Sequence, residues 1–142
     1  MDSRLIIIGQ FLLIGLIAWP SAPFQTSLLA LLLAGAGCIL GAVTLMYNRI
    51  GNFNIRPELK ENTELVVQGP YRWIRHPMYL TVLLLCGSLL AAYGQTYKYP
   101  CFLGLFALLG QKIAMEERFL AERFPEYSSY REGTWKVFPW VW

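Results

Sequence analysis

Four apolar windows dominate this chain: Leu5 to Trp19, Ser27 to Tyr47, Pro77 to Tyr93 and Tyr99 to Met115. The first three carry no charge, and Lys112 is the one charge of the fourth. Each approaches the roughly 20 residues that an α-helix needs to cross a bilayer. The reading is therefore an all-α integral membrane chain of four transmembrane helices, with a cytoplasmic loop between the second and third and a helical extension after the fourth. Composition agrees, since 56% of the 142 residues are hydrophobic and 15% charged. A soluble domain of this size would spread charge over its outward faces, and a disordered chain would lack the apolar mass. The first window also resembles a signal peptide, but no clean A-x-A cleavage site follows it.

The charges are confined to a few segments. Eleven of the twelve Lys and Arg, and all nine acids, fall before the first window, between the second and third, or at and after the end of the fourth; Lys98 is the exception. The positive-inside rule then places both termini and the central loop in the cytoplasm, with short outer turns near Pro20 to Gln25 and Gly94 to Lys98. The expected location is a multi-pass protein of the cell inner membrane, its polar chemistry at the cytoplasmic boundary. A formal charge of +3, with bases and acids interleaved, excludes a nucleic-acid stripe.

Gly37 and Gly41 have the small-xxx-small spacing that lets a second helix approach closely. Trp19, Tyr47, Tyr93, Tyr97 and Tyr99 stand at window ends, where amphipathic rings prefer the headgroup layer. Cys38, Cys86 and Cys101 lie far apart in apolar runs and read as packed thiols, with no disulfide framework and no metal site. Without repeats or linkers, residues 1–142 read as one domain.

The chemistry-bearing segments lie on the charged side. After Gly69-Pro70, the chain re-enters the apolar phase through Tyr71-Arg72-Trp73-Ile74-Arg75-His76-Pro77-Met78-Tyr79. Pro77 suits the first position of a helix, leaving His76 beside an N-terminus that attracts anions. His76 and Tyr79 are three residues apart and share a face. A single histidine is most simply a boundary residue bonded to a loop carbonyl, and Arg72 and Arg75 most simply meet anionic headgroups. Lys112 and Glu116 share a face of the fourth helix, which should run beyond the membrane until Pro125 interrupts it. They are either a surface ion pair or a cation and carboxylate facing a ligand. The segment Trp135 to Trp142, with three tryptophans and Phe138, reads as an interfacial anchor.

Together, Arg56-Pro57-Glu58-Leu59-Lys60, Leu65-Val66-x-x-Gly69-Pro70-Tyr71-Arg72, Arg75-His76-Pro77-x-Tyr79, Glu116-Glu117, Phe124, Tyr127 and Tyr130 resemble the isoprenylcysteine carboxyl methyltransferase family, related to phospholipid methyltransferases. The resemblance covers a core from residue 56 to 138. It implies S-adenosylmethionine as cofactor, held by Thr63, Glu64, Leu65, Val66, Tyr71, His76, Pro77, Met78, Tyr79 and Glu116. It also implies a methyl acceptor of lipophilic character arriving from the bilayer, with membrane lipids as the other partners. The family usually carries Arg one turn before the glutamate to hold the acceptor; Lys112 stands there, so Lys112 and Glu116 are the expected catalytic pair. Lys keeps the charge and loses the bidentate fork. The acceptor is an isoprenylcysteine-like carboxylate, a phospholipid amine or a hydrophobic thiol. The alternatives are a non-catalytic four-helix scaffold and a sterol-reductase-type enzyme using a nicotinamide cofactor, which needs more than four spans.

Overall fold

The computed structural model describes residues 3–48 and 64–141. They form α1 (Ser3–Ala18), α2 (Leu28–Tyr47), α3 (Pro77–Tyr93), α4 (Lys98–Arg123) and a short α5 (Tyr127–Glu132), with a 3-10 turn at Gly69–Arg72 ahead of α3. Among the described residues there is no strand, and the one sheet-like feature is an isolated parallel bridge between Ile74 and Trp135. The expected all-helical class is what the chain adopts.

Local chemistry sets the helix ends. The Ser27 hydroxyl accepts from the Ala30 N–H at 3.1 Å, satisfying an orphan donor at the start of α2. Pro77 occupies the first turn of α3, and Gly94 ends it in the left-handed region at φ 61°. α4 stops at Arg123 because Phe124 is extended, as a residue preceding proline prefers.

The helices pack as antiparallel pairs, α2 on α3 and α1 on α4, with α3 touching both α4 and α1. The glycines in α2 are what allow the first pairing. A Cβ added at Gly37 would stand 2.9 Å from the Leu85 side chain, and one at Gly41 2.9 Å from that of Thr81. In the second pairing, Gly9 faces Leu108 and Gly104 faces Leu13. Ile17, Leu83, Cys86, Leu105, Leu109, Ile113 and Val137 fill the core between the pairs. Of the three cysteines read as packed thiols, Cys38 is exposed on the outer face of α2. Alternating helix directions bring the start of α1, the start of α3 and the end of α4 to one end of the bundle. The turns after α1 and α3 meet at the other, where the Gln25 N–H donates to Ala92 O.

By length and composition, α2 is the helix among the described residues that is long and apolar enough to cross a membrane. α1 and α3 are apolar but have 16 and 17 residues. At 1.5 Å per residue they reach about 24 and 26 Å, short of a hydrocarbon core of about 30 Å. The 26 residues of α4 reach further but carry charge over the second half. The fold itself thus supports one span by these criteria where four were expected.

Two segments make contacts beyond those expected. Lys98, read as an outer-side charge, stands at the end of the bundle opposite the charged cluster and is fully buried: its Nζ donates to the Ile17 and Trp19 carbonyls at 2.9 Å each and lies 3.8 Å from the centre of the Tyr93 ring. It caps the carbonyl end of α1, sharing the Trp19 carbonyl with the Ser21 N–H. The C-terminal tail, read as an interfacial anchor, is also tied to the start of α3 by its backbone. The Arg75 and His76 N–H groups donate to Trp135 O (2.8 Å) and Lys136 O (2.9 Å), while the Trp135 N–H donates to Trp73 O (3.1 Å). Val137 is buried and Phe138 stacks near Phe106, while Trp140 and Val141 are 82% exposed. The tail returns because amide groups just ahead of a helix need acceptors once they are out of water.

Candidate active site

At the charged end of the bundle, α3 begins directly beneath the second half of α4. His76, buried, sits between two consecutive carboxylates of α4, its Nδ1 3.8 Å from Glu116 Oε2 and its Nε2 3.4 Å from Glu117 Oε1. Neighbouring positions on a helix point about 100° apart, so the two acids flank the imidazole from different directions. Neither contact is an aligned hydrogen bond, and Nε2 has no hydrogen-bond partner among the described residues.

The two acids have different surroundings. Glu117 is fixed by Arg75, whose Nε donates to Oε1 at 2.8 Å and whose Nη1 donates to the Arg131 carbonyl at 3.1 Å and to the carbonyl and hydroxyl of Thr134. Burial alone would raise the Glu117 carboxyl; the Arg75 hydrogen bond and guanidinium charge, with the His76 ring beside them, outweigh it and hold the group down to about 2. Arg75, expected at the headgroups, is therefore a buried clamp between the start of α3, α4 and the tail. Glu116 is more open, with 24% of its side chain exposed. Its Oε2 accepts from the Tyr79 hydroxyl at 2.7 Å. The Tyr79 ring stacks on His76 at 5.4 Å and 17°, so the expected shared face of these residues is formed.

A layer of tyrosines closes the cluster. The Tyr130 hydroxyl donates to the Tyr71 carbonyl at 2.6 Å. Burial pushes the Tyr71, Tyr127 and Tyr130 hydroxyls up, the charge of Glu116 adding to it at Tyr71 and that of Glu117 at Tyr127. All three stay neutral donors at physiological pH. Gly69 sets the approach to this layer. Its φ is 60°, and a Cβ there would collide with the Tyr47 ring.

Tyr71, His76, Pro77, Tyr79 and Glu116 thus lie at the same end of the bundle, with Met78 half-buried beside them. Glu64 is exposed, Leu65 and Val66 are half-buried in the irregular chain leading to Gly69, and Thr63 lies outside the described residues. Lys112 and Glu116 are not an ion pair. The Lys112 Nζ donates instead to Gln10 Oε1 of α1 at 3.1 Å and lies 5.4 Å from the centre of the Tyr79 ring. Sequence reasoning misses Gln10. The signal is present, since it is the one amide side chain inside the first apolar window, and polar groups in such windows are costly enough to mark a role. Among the described residues no three His, Cys, Asp or Glu side chains gather as a metal-binding group.

The fold and this cluster define an all-helical apolar bundle that carries tyrosine, histidine and carboxylate side chains gathered at one end. The chain belongs to the isoprenylcysteine carboxyl methyltransferase family, whose profile matches residues 27–122. The cobalt-zinc-cadmium resistance protein CzcN of Cupriavidus metallidurans is 41% identical over 83 residues, 56% of this chain and 38% of the relative. The chain thus spans well under half the length of that relative.

Proposed function

We propose that this protein is an integral-membrane methyltransferase that takes a methyl group from S-adenosylmethionine and gives it to a lipophilic acceptor reaching the pocket from the bilayer. The observation that carries this is Glu116: a partly open carboxylate held by Tyr79 and flanked by His76, in a chain of this family. A carboxylate has about four acceptor positions and Tyr79 uses one, so Glu116 retains capacity for a cationic ligand. When bound, the cofactor supplies an electrophilic methyl on a sulfonium. Glu116 would face its cationic portion, and Tyr71 and Tyr79 would wall its apolar portion. Displacement at a methyl group depends on proximity and alignment, and here the alignment comes from side chains that are themselves braced: Tyr79 by Glu116 and His76, His76 by the tail, and Glu117 by Arg75.

An apolar cavity of about 390 Å³ supports the second half of the reading. It lies between α2, α3 and α4, lined by Leu33, Leu80, Leu84, Ala91, Phe102 and Phe138 among others. From Leu80, next to Tyr79, to Ala91 near the far end, it follows α3 for about 16 Å, a path along which an acyl or prenyl chain would lie. The outward faces of α1 and α2 support a membrane setting, since Leu5, Ile8, Phe11, Leu12, Leu29, Leu32 and Ile39 are all more than half exposed. In water, so much contiguous apolar surface would drive association. The charge distribution supports four spans, with the pocket on the cytoplasmic side of the inner membrane.

Binding of S-adenosylhomocysteine to the detergent-purified protein, measured by calorimetry beside NADPH, tests the proposal. We expect the first ligand to bind and the second not to. His76→Ala, Tyr79→Ala and Glu116→Gln should each weaken binding by about 1.5 to 3 kcal/mol while the chain stays membrane-inserted. Binding of NADPH alone would make the protein a reductase, and binding of neither would leave a scaffold.

A further inference from the structure

One buried cation of the pocket takes its partner from outside the family-matched residues. Lys112 is 3% exposed, and its hydrogen bond goes to Gln10, itself 8% exposed, on α1. The family profile begins at residue 27, after α1 has ended. An ammonium has three donors, and among the described residues Gln10 is the one protein acceptor that Lys112 meets. Glu116, one turn on along the same face, accepts from Tyr79 and acts on Lys112 through its charge without forming a contact ion pair with it. Lys112 therefore sits beside the Tyr79 ring with a neutral amide as its hydrogen-bond partner and no carboxylate within 4 Å among the described residues. Such a charge is costly to bury, and the arrangement makes sense where a ligand brings the opposite charge.

We infer that Gln10 is a positioning residue for the acceptor: its amide oxygen holds the Lys112 ammonium against the Tyr79 side of the pocket, and its neutrality reserves that charge for a carboxylate or phosphate head on the lipophilic acceptor. This rests on the methyltransferase reading and narrows it to anionic acceptors. It also makes α1 part of the site. A glutamate at position 10 would keep the hydrogen bond and the packing volume but neutralise the ammonium internally, so the head of the acceptor would meet no net charge.

The test uses purified full chain in detergent, loaded with S-adenosylhomocysteine and titrated with oleate, oleyl phosphate and oleyl alcohol, which share one tail. The wild type should bind at least one anion about tenfold or more tightly than the alcohol. Preference for oleate marks a carboxylate acceptor and preference for oleyl phosphate a phosphate one. Gln10→Glu should abolish the preference while S-adenosylhomocysteine affinity stays the same, and Lys112→Met should do likewise. A residue that only supports folding predicts the opposite for Gln10→Glu: the new ion pair leaves the fold intact and the anion preference unchanged. That result, or a wild type without anion preference, overturns the inference. Failure of S-adenosylhomocysteine to bind while the anion preference holds would overturn the methyltransferase reading and leave the Gln10 and Lys112 anion site standing.

Discussion

Glu117→Gln is the most informative single substitution for the framework of the pocket. The wild-type carboxylate, with a side chain 11% exposed, is shared between the Arg75 guanidinium at 2.8 Å and the His76 imidazole at 3.4 Å. It is held at about 2 against an ordinary value of 4.5. A difference of that size is worth about 2 to 3 kcal/mol of stability, the lower figure allowing for water at the rim of the pocket. Because the folded-state value is the depressed one, this contribution is complete above about pH 4.5 and is lost as the pH falls through about 2. The amide variant removes it at every pH and leaves Arg75 buried with only the carbonyls and hydroxyl of Arg131 and Thr134, so the loss near neutrality should be about 3 kcal/mol. Chemical denaturation in micelles between pH 2 and 7 measures this directly. Wild type should destabilise steeply below pH 4.5, whereas Glu117→Gln starts lower and shows a flatter profile. Parallel profiles for the two proteins would refute the assignment of Glu117 as the charged centre of this clamp.

Other perturbations have separable outcomes. Gly69→Ala imposes a Cβ on a residue at φ 60° that already faces the Tyr47 ring, and should cost about 2 kcal/mol or more in the same denaturation assay. Lys98→Met removes two hydrogen bonds from the end of α1 and should destabilise by about 1 to 3 kcal/mol, with no change in S-adenosylhomocysteine affinity because it acts at the opposite end of the bundle. Tyr79→Phe keeps the stack on His76 but deletes the donor to Glu116, so calorimetry should show a loss in cofactor affinity smaller than that of Tyr79→Ala. A cysteine placed at Glu64 in a chain freed of its own three should react with an impermeant thiol reagent in inverted vesicles and not in intact cells; labelling of intact cells would reverse the proposed orientation.

Much of the architecture is legible in the amino-acid sequence alone. The first three apolar windows correspond to α1 to α3 nearly at their own boundaries, with Pro77 opening α3, α4 runs from the fourth window on to Arg123, and Gly37 and Gly41 mark the close approach of α2 to its neighbour. These features are local: helix periodicity, caps and small-residue spacing express themselves within a few turns and need no knowledge of the rest of the fold. The grouping of His76, Tyr79 and Glu116 is also legible, through spacing on α3 and the family resemblance. What the sequence does not disclose are partnerships across long separations. Gln10 meets Lys112 at a distance of 102 positions, Lys98 reaches back 81 to the end of α1, and Arg75 is claimed by Glu117 and by the tail. Each of these side chains has a reasonable solvent or headgroup role when read by itself. Only the packing of α1 on α4, and the return of residues 135–137 to the start of α3, removes water from them and makes a protein partner the lower-energy choice.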